Sequence, residues 1–597
     1  MKSKITFYLC FSAFFLILIT APSQSFAQIK LEYTLSMSKP YTHYFEVETK
    51  VIGLKKDHID FLMPVWAPGS YLVRDFPKNV EFFKASDGAG NRLKFEKINK
   101  YTWRVYSNNA NEIKLWYKVY AFKVSVRTSF LNESHGYLNG TSIFMYINKM
   151  KDLPSTLKII PYKEWKEVST GLEPVDGARF TFSSPNYDIL VDSPIEIGNQ
   201  DIIRFKAAGV DYSVAMYGKG NYNADTLKKY MTKVIEAETN VVGENPNKHY
   251  LFIVHNLTNG SGGLEHLNST TLEVNRWIYS NMPRFLSLVA HEHFHLWNVK
   301  RIRPIALGPF NYESENYTTL LWEMEGVTSY YSNVILRRTD IITPDDFLSN
   351  ISRGISYVEN QPGNKVQSAS EASFDAWIKA YEPNENSGNT TISYYSKGAI
   401  LGMLLDLEIM NATNGKKNYD DVLRYLYKEY YKKLKRGFTK EEYRRTVEKI
   451  AGENLDDFFQ KYVYSTDEID YNKYFNYAGL KLVDNGKNGN YFGMRTNKDM
   501  IVQTVIKGTS AYDGEINVND EIIALDNYRV NNNNFDRVYS QFNVGDTIKV
   551  TVSRDGILKE LQVLLKNIHR YRYSLVEINN PTEKQKRIYD KWLDIKQ

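Results

Sequence analysis

His291, Glu292 and His295 stand in the pattern H-E-x-x-H, inside Phe285-Leu286-Ser287-Leu288-Val289-Ala290-His291-Glu292-His293-Phe294-His295. Residues four apart project from one face of a helix, so two imidazoles at this spacing can share one metal ion. Pro283 suits a helix start, and Phe285, Leu288, Val289 and Leu296 supply apolar positions to bury. Three histidines in an apolar helix need partners, which favours ligation over a solvated face. Glu292 leans toward the same metal without ligating it, in place to take a proton from a water that the metal activates. His293 falls about 200° round the helix from His291 and points away.

A catalytic zinc site takes three protein ligands and keeps a fourth position open. The only cysteine is Cys10, and no histidine occurs between His295 and His569, so a carboxylate is the expected third ligand. The helix-like run from Leu320 to Tyr331 offers Glu323 and Glu325, and periodicity does not choose between them. Upstream, Tyr250 to Val254 reads as a buried strand, followed by Asn259-Gly260-Ser261-Gly262-Gly263-Leu264-Glu265-His266. Gly262 and Gly263 permit close backbone approach, and an edge strand ending in Glu265 just before the metal helix is a place to lay a peptide. The loop lacks the G-x-x-x-x-G-K-[S/T] pattern of a phosphate cradle. Tyr394 and Tyr395 open an apolar helix from Ala399 to Met410; such tyrosines pack, or point a phenol into a cleft.

These residues need several domains to position them, and 597 residues are too many for one core. Lys2 and Lys4, the apolar run Phe7 to Ile19 and the small-x-small site Ser25-Phe26-Ala27 read as a signal peptide, which carries Cys10 away and leaves a chain without disulfides. No second stretch is long and apolar enough to be an integral membrane segment, so an exported protein, periplasmic or secreted, is expected. From Ile29 to about Phe205 short alternating runs such as Ile113 to Tyr120 predict antiparallel strands in a sandwich or saddle. Pro68-Gly69-Ser70-Tyr71 reads as a tight turn among them. From Thr343 to about Tyr464 amphipathic helices predominate; strands return after Phe475, and the charged tail from Pro581 reads as a peripheral helix. A net charge of +6, with both signs interspersed, gives no electrostatic case for nucleic acid.

Two longer stretches carry a resemblance. His291 to Pro304, with Trp297-Asn298-Val299-Lys300-Arg301 beyond the metal motif, and Trp322-Glu323-Met324-Glu325-Gly326-Val327-Thr328-Ser329-Tyr330-Tyr331 resemble the glycyl aminopeptidase family, zinc metallopeptidases that carry a PDZ domain. In that family's W-x-x-E-G-x-T-x-Y-Y motif the glutamate before glycine is the third ligand, which implies Glu325 rather than Glu323. Pro68-Gly69-Ser70-Tyr71 is similar to a motif of its N-terminal domain. Gly262-Gly263-Leu264-Glu265-His266 resembles the G-x-M-E-N substrate motif of the wider aminopeptidase N-like gluzincins, with Leu264 for methionine and His266 for asparagine, and Tyr395-Ser396-Lys397-Gly398 resembles their Y-x-K-G motif. Phe475 to Lys566 resembles a PDZ domain with Tyr491-Phe492-Gly493-Met494 as its carboxylate loop and Asn519 in place of the usual glycine.

The resemblance implies a multidomain α+β protein. Its parts are a signal peptide (1–27), an N-terminal antiparallel β domain (28–205), a thermolysin-like catalytic domain (206–340), a mainly helical domain completing the active site (341–472), a PDZ domain (473–567) and a tail (568–597). It implies a zinc aminopeptidase removing N-terminal Gly or Ala from peptides, with one Zn2+ on His291, His295 and Glu325, Glu292 as general base and Tyr395 steadying the oxyanion. Gly262, Gly263 and Glu265 would bind substrate, the last through its free α-amine, and C-terminal peptide tails would occupy the PDZ domain. The competing expectations are an endopeptidase using the same zinc with PDZ-guided substrates, and a catalytically inactive PDZ peptide-binding protein.

Overall fold

A computed structural model describes residues 29–595, so the segment read as a signal peptide lies outside the described residues. The N-terminal part is built on a seven-stranded sheet. In it β1 (Lys30–Ser36) alternates buried and outward residues, burying Leu31, Tyr33 and Leu35. β1 pairs antiparallel with β2 (Tyr44–Ile52) and parallel with β3 (Ser155–Ile160). The expected antiparallel layer therefore contains one parallel pairing, because the chain returns to β1 only after a crossover of about a hundred residues through a second sheet. The turn Ala67–Ser70 leaves this layer at Gly69, whose φ of +82° favours glycine.

The catalytic sheet has five strands in the order β4 (Asp201–Ala207), β5 (Val210–Tyr217), β6 (His249–Leu257), β8 (Ser269–Asn275), β7 (Ser261–Glu265). β6 is parallel to β5 and β8 and is buried almost throughout, as a strand covered on both faces must be. β7 runs antiparallel to β8, with Gly263 opposite Leu272 and Glu265 opposite Thr270, and closes that edge of the sheet. Helices α1 (Ala224–Val242) and α2 (Met282–Phe294) pack beside it. Asn281 caps α2 by accepting from the Arg284 amide, and Pro283 lies in its first turn.

The segment after residue 340 is mainly helical around α4 (Tyr394–Ala412), which is buried nearly all round. It packs on the element carrying the second glutamate motif, a π-helical turn at Trp322–Val327 that continues as α3 (Thr328–Arg338). Two glycines set that crossing. A Cβ on Gly326 would lie 2.4 Å from the Gly398 Cα, and one on Gly398 would lie 2.1 Å from the Trp322 carbonyl oxygen. The PDZ segment has its own apolar core around Val502, Leu525, Val550 and Val563. It is tied to the helical part by side-chain amides: Asn389 donates to Val505 O (2.8 Å) and accepts from Lys507 N (2.8 Å), and Asn360 does the same with Tyr571.

The charged tail forms the expected helix, α5 (Glu583–Trp592), but it is not peripheral. Ile588, Trp592 and Leu593 are buried, and Trp592 Nε1 donates to Tyr330 OH at 2.8 Å. The tail's few apolar residues lie on one face and dock there, while its many charges remain outside. Among the described residues no helix is long and apolar enough to cross a membrane.

Candidate metal centre and substrate cleft

His291 lies on the last turn of α2 and His295 immediately caps it. Their Nε2 atoms stand 3.1 Å apart, and Glu325 Oε2 lies 3.4 Å from the first and 3.3 Å from the second. An ion held tetrahedrally at roughly 2.0–2.1 Å spaces its donor atoms about 3.3–3.4 Å apart, so these three atoms sit where zinc-type ligands belong. The tautomer is set for His295, whose Nδ1 faces the Asn298 carbonyl at 2.6 Å and leaves Nε2 for the ion. Ser329 Oγ approaches Nδ1 of His291 at 3.5 Å and donates to the Glu325 carbonyl at 2.8 Å. Burial opposes charge on all three groups. The two imidazoles nonetheless hold the Glu325 carboxyl far below the usual range, and Glu325 in return lifts His295 to about 10.

Glu323 and Glu325, two residues apart, project to opposite sides of the π-helical turn, Glu325 toward the imidazoles and Glu323 toward Tyr419. Glu323 is fully buried against Tyr419 OH at 3.3 Å, and burial raises its carboxyl to about 8. Asn298 locks the turn by donating to Thr328 Oγ1 at 3.1 Å and the Met324 carbonyl at 3.3 Å. Asn298 of the metal motif and Thr328 of the glutamate motif therefore meet each other.

His293 points away as expected, but it is no idle residue. Its ring is wholly buried between Glu238 of α1 and Tyr212 of β5, bonding to both. Burial pushes His293 down to about 3 and Glu238 up, so the contact is a neutral hydrogen bond that fixes α2 against α1 and the sheet.

Glu292 and Glu265 come together beside the ligands: one carboxylate oxygen of each and one His295 nitrogen lie within 4.8 Å of one another. Burial raises Glu292 to about 8, opposed by His295 and reinforced by Glu265 and Glu325. Of the two glycines of the sequence motif Gly263 faces this group, whereas a Cβ on Gly262 would meet only Arg127 Nη1, at 3.9 Å. A Cβ on Gly263 would fall 2.4 Å from Glu292 Oε1, and one on Gly69, in the turn of the N-terminal domain, would fall 2.6 Å from Glu265 Oε1. Leu264 is buried between sheets, and His266 turns out of the cleft to bond Asp192 at 3.0 Å, where Lys300 joins at 2.8 Å. The substitution of histidine for asparagine is thus absorbed by a separate ion cluster.

These groups line one cleft of about 1020 Å³ that also contains Gly262, Tyr395, Ser329 and Arg127. Tyr395 lies over His291 with ring centroids 6.1 Å apart and is steadied by Tyr394 at 4.8 Å. The Gly326–Gly398 contact sets Tyr395 relative to Glu325, since each glycine lies within three residues of one of them. His291, Glu292, His295, Glu325, Gly262, Gly263, Glu265 and Tyr395 all line this cleft, and Glu323 does not. Arg127 was not foreseen, and no motif marks it: it belongs to an irregular segment of the N-terminal domain, Phe122 to Ser129, that folds back onto β7.

Comparisons with known proteins agree with this arrangement. Residues 32–199 match the Peptidase M61 N-terminal domain, 284–401 the M61 glycyl aminopeptidase domain and 479–565 a PDZ domain. No curated protein matches the sequence. An aminopeptidase N family protein from Idiomarina loihiensis is 28% identical, with a TM-score of 0.87 over 94% of this chain and 100% of that one. A variant M1 zinc metallopeptidase from Deinococcus radiodurans, solved with a Tyr-Ser-Ala substrate, is a remote likeness at 13% identity and TM-score 0.48, covering 74% of this chain and 95% of that one. With both M61 models matched in order ahead of the PDZ domain, and a full-length structure of the same architecture, the chain is a peptidase belonging to the M61 glycyl aminopeptidase family.

Proposed function

We propose that the protein is a zinc-dependent aminopeptidase that releases small N-terminal residues, Gly or Ala, from peptides. The observation that carries this reading is the carboxylate of Glu265, buried at the end of the edge strand β7 and within 4.8 Å of both Glu292 and His295. A buried carboxylate there pairs with a cation, and a peptide's α-ammonium is the cation that a substrate brings. His291, His295 and Glu325 would hold one zinc ion, which supplies a Lewis acid that polarises the scissile carbonyl and makes water a nucleophile at neutral pH. Glu292 takes the proton of the attacking water and passes it to the leaving nitrogen. The Tyr395 phenol donates to the oxygen on which charge develops. Gly262 and Gly263 let the substrate main chain lie against β7 as an added strand.

The small-residue preference is supported by the approach of the Gly69 turn to Glu265, where even a Cβ on Gly69 would fall 2.6 Å from Oε1. The same reading includes export after cleavage near residue 27, to the periplasm or beyond, and domain limits near 205, 340, 472 and 567. It also includes C-terminal tails bound at Tyr491 to Met494, where Gly493 has φ +86°.

N-acetylation of a Gly- or Ala-initiated peptide is expected to lower kcat/KM by roughly 10²–10³-fold, the loss typical of one partner of a buried charge pair. Glu265→Ala should bring the free peptide down to the same level. Equal cleavage of free and acetylated peptides would make the protein an endopeptidase. Zinc uptake without cleavage of either would make it a peptide-binding protein. Gly263→Ala tests the base's placement: the new methyl occupies the Glu292 carboxylate position, so turnover should fall about 10²-fold with metal content unchanged.

A further inference from the structure

Two arginines of the N-terminal domain, Arg74 and Arg127, lie within reach of each other's charge, and among the described residues neither forms a salt bridge. Arg127 reaches β7, where its Nη2 donates to the Gly263 carbonyl at a long 3.4 Å and its Nε is buried without a partner. Arg74 donates from Nη1 to the Leu72 carbonyl at 3.1 Å. Among the described residues each guanidinium thus bonds only a main-chain oxygen. They are close enough that, after burial, the charge of Arg127 is what lowers Arg74, to about 10. Two partly buried cations side by side are costly unless an anion joins them. The carboxylates within range of Arg127, Glu265 and Glu292, are taken by the substrate amine and by proton transfer in the reading above.

The position of Arg127 says which anion. It lines both the catalytic cleft and a smaller cavity of about 470 Å³ behind Tyr395, together with Tyr381, Tyr394 and Gln361. Along β7 it lies at Gly263, two residues from Glu265. A substrate extended along that edge advances about 3.3 Å per residue, so the group reaching Arg127 lies one or two residues beyond the anchored amine. In a dipeptide or tripeptide that group is the main-chain carboxylate.

We propose that Arg127, backed by the charge of Arg74, forms a carboxylate subsite that selects short peptides with free C-termini. This rests on the aminopeptidase reading, because it counts from the amine held at Glu265. The guanidinium's planar fork suits bidentate binding of a carboxylate.

The test is binding to the zinc-loaded Glu292→Gln protein, measured by calorimetry for Gly-Ala, Gly-Ala-Ala, their C-terminal amides, Gly-Asp-amide and N-acetyl-Gly-Ala. The free acids should bind at least tenfold more tightly than the amides. Arg127→Gln should bring that ratio to about one, and Arg127→Lys should keep part of it. Circular dichroism and zinc content certify each variant, and Arg74→Gln, at a residue outside the cleft, should narrow the ratio if folding forbids the Arg127 variants. Tight binding of Gly-Asp-amide would place the recognised carboxylate on the second side chain rather than the main chain. Equal affinity for acids and amides, or a ratio that survives Arg127→Gln, overturns the proposal. Equal affinity for acetylated and free Gly-Ala would instead overturn the role of Glu265, independently of the acid-to-amide ratio.

Discussion

Glu292→Gln is expected to lower kcat/KM by roughly 10²–10⁴-fold, the usual contribution of a positioned general base, while the protein keeps its zinc and its affinity for substrate. Glutamine has the shape of glutamate, so the contact with Gly263 and the packing of α2 survive the change. It cannot accept the proton. The expectation follows from three features of the site. Glu292 is adjacent in sequence to one ligand and within 4.8 Å of a nitrogen of the other, yet its carboxylate is not among the three atoms spaced for the ion. It is buried, and burial raises its proton affinity, which a group that must accept and then release a proton requires. Gly263 leaves it the space to stand beside a strand on which substrate can lie. Steady-state kinetics on a free-amine Gly peptide, beside metal analysis of the same preparation, checks both halves. Activity within tenfold of the parent would remove Glu292 from proton transfer, and lost zinc would mean that it ligates.

How much of this was legible in the sequence depended on whether the decisive interaction was local. The H-E-x-x-H pair needs only a helix, and the helix is specified by Asn281, Pro283 and the apolar residues after them. Edge strand β7 and its terminal carboxylate could be read from a glycine pair followed by Glu265. Glu323 against Glu325 could not be settled by periodicity, because the two project to opposite sides of one turn and which side faces the imidazoles is set by packing against distant residues such as Asn298, Gly398 and Tyr419. Only the resemblance of the surrounding motif chose Glu325, the one whose carboxylate stands beside both imidazoles. The docking of α5 was missed because one buried tryptophan among charges is a weak signal until Tyr330 is seen to receive its N–H. Arg127 gave no signal at all: a single arginine in an irregular segment acquires meaning only when the N-terminal domain is laid against β7.

Glu325→Ala and Glu323→Ala are expected to separate sharply although the residues are two apart. Removing Glu325 leaves two imidazoles and no anionic ligand, so zinc should be lost in dialysis against a mild chelator, and activity should fall below detection with it. Apart from the metal the change is small, because the π-helical turn is held by the Gly326–Gly398 contact and by Asn298, neither of which involves that carboxylate. Glu323→Ala should behave in the opposite way. Its carboxyl is buried, pushed up to about 8 by that burial and within 3.3 Å of Tyr419 OH, so it serves as a packed hydrogen-bonding group. Replacing it leaves a cavity and removes one of the two partners of Tyr419 OH, which keeps Tyr443 OH at 2.6 Å. The cost of about 2–4 kcal/mol should lower the melting temperature while zinc stays bound. Metal content by elemental analysis and thermal unfolding of both variants read the two effects apart. Zinc retained in Glu325→Ala, or lost from folded Glu323→Ala, would reassign the third ligand.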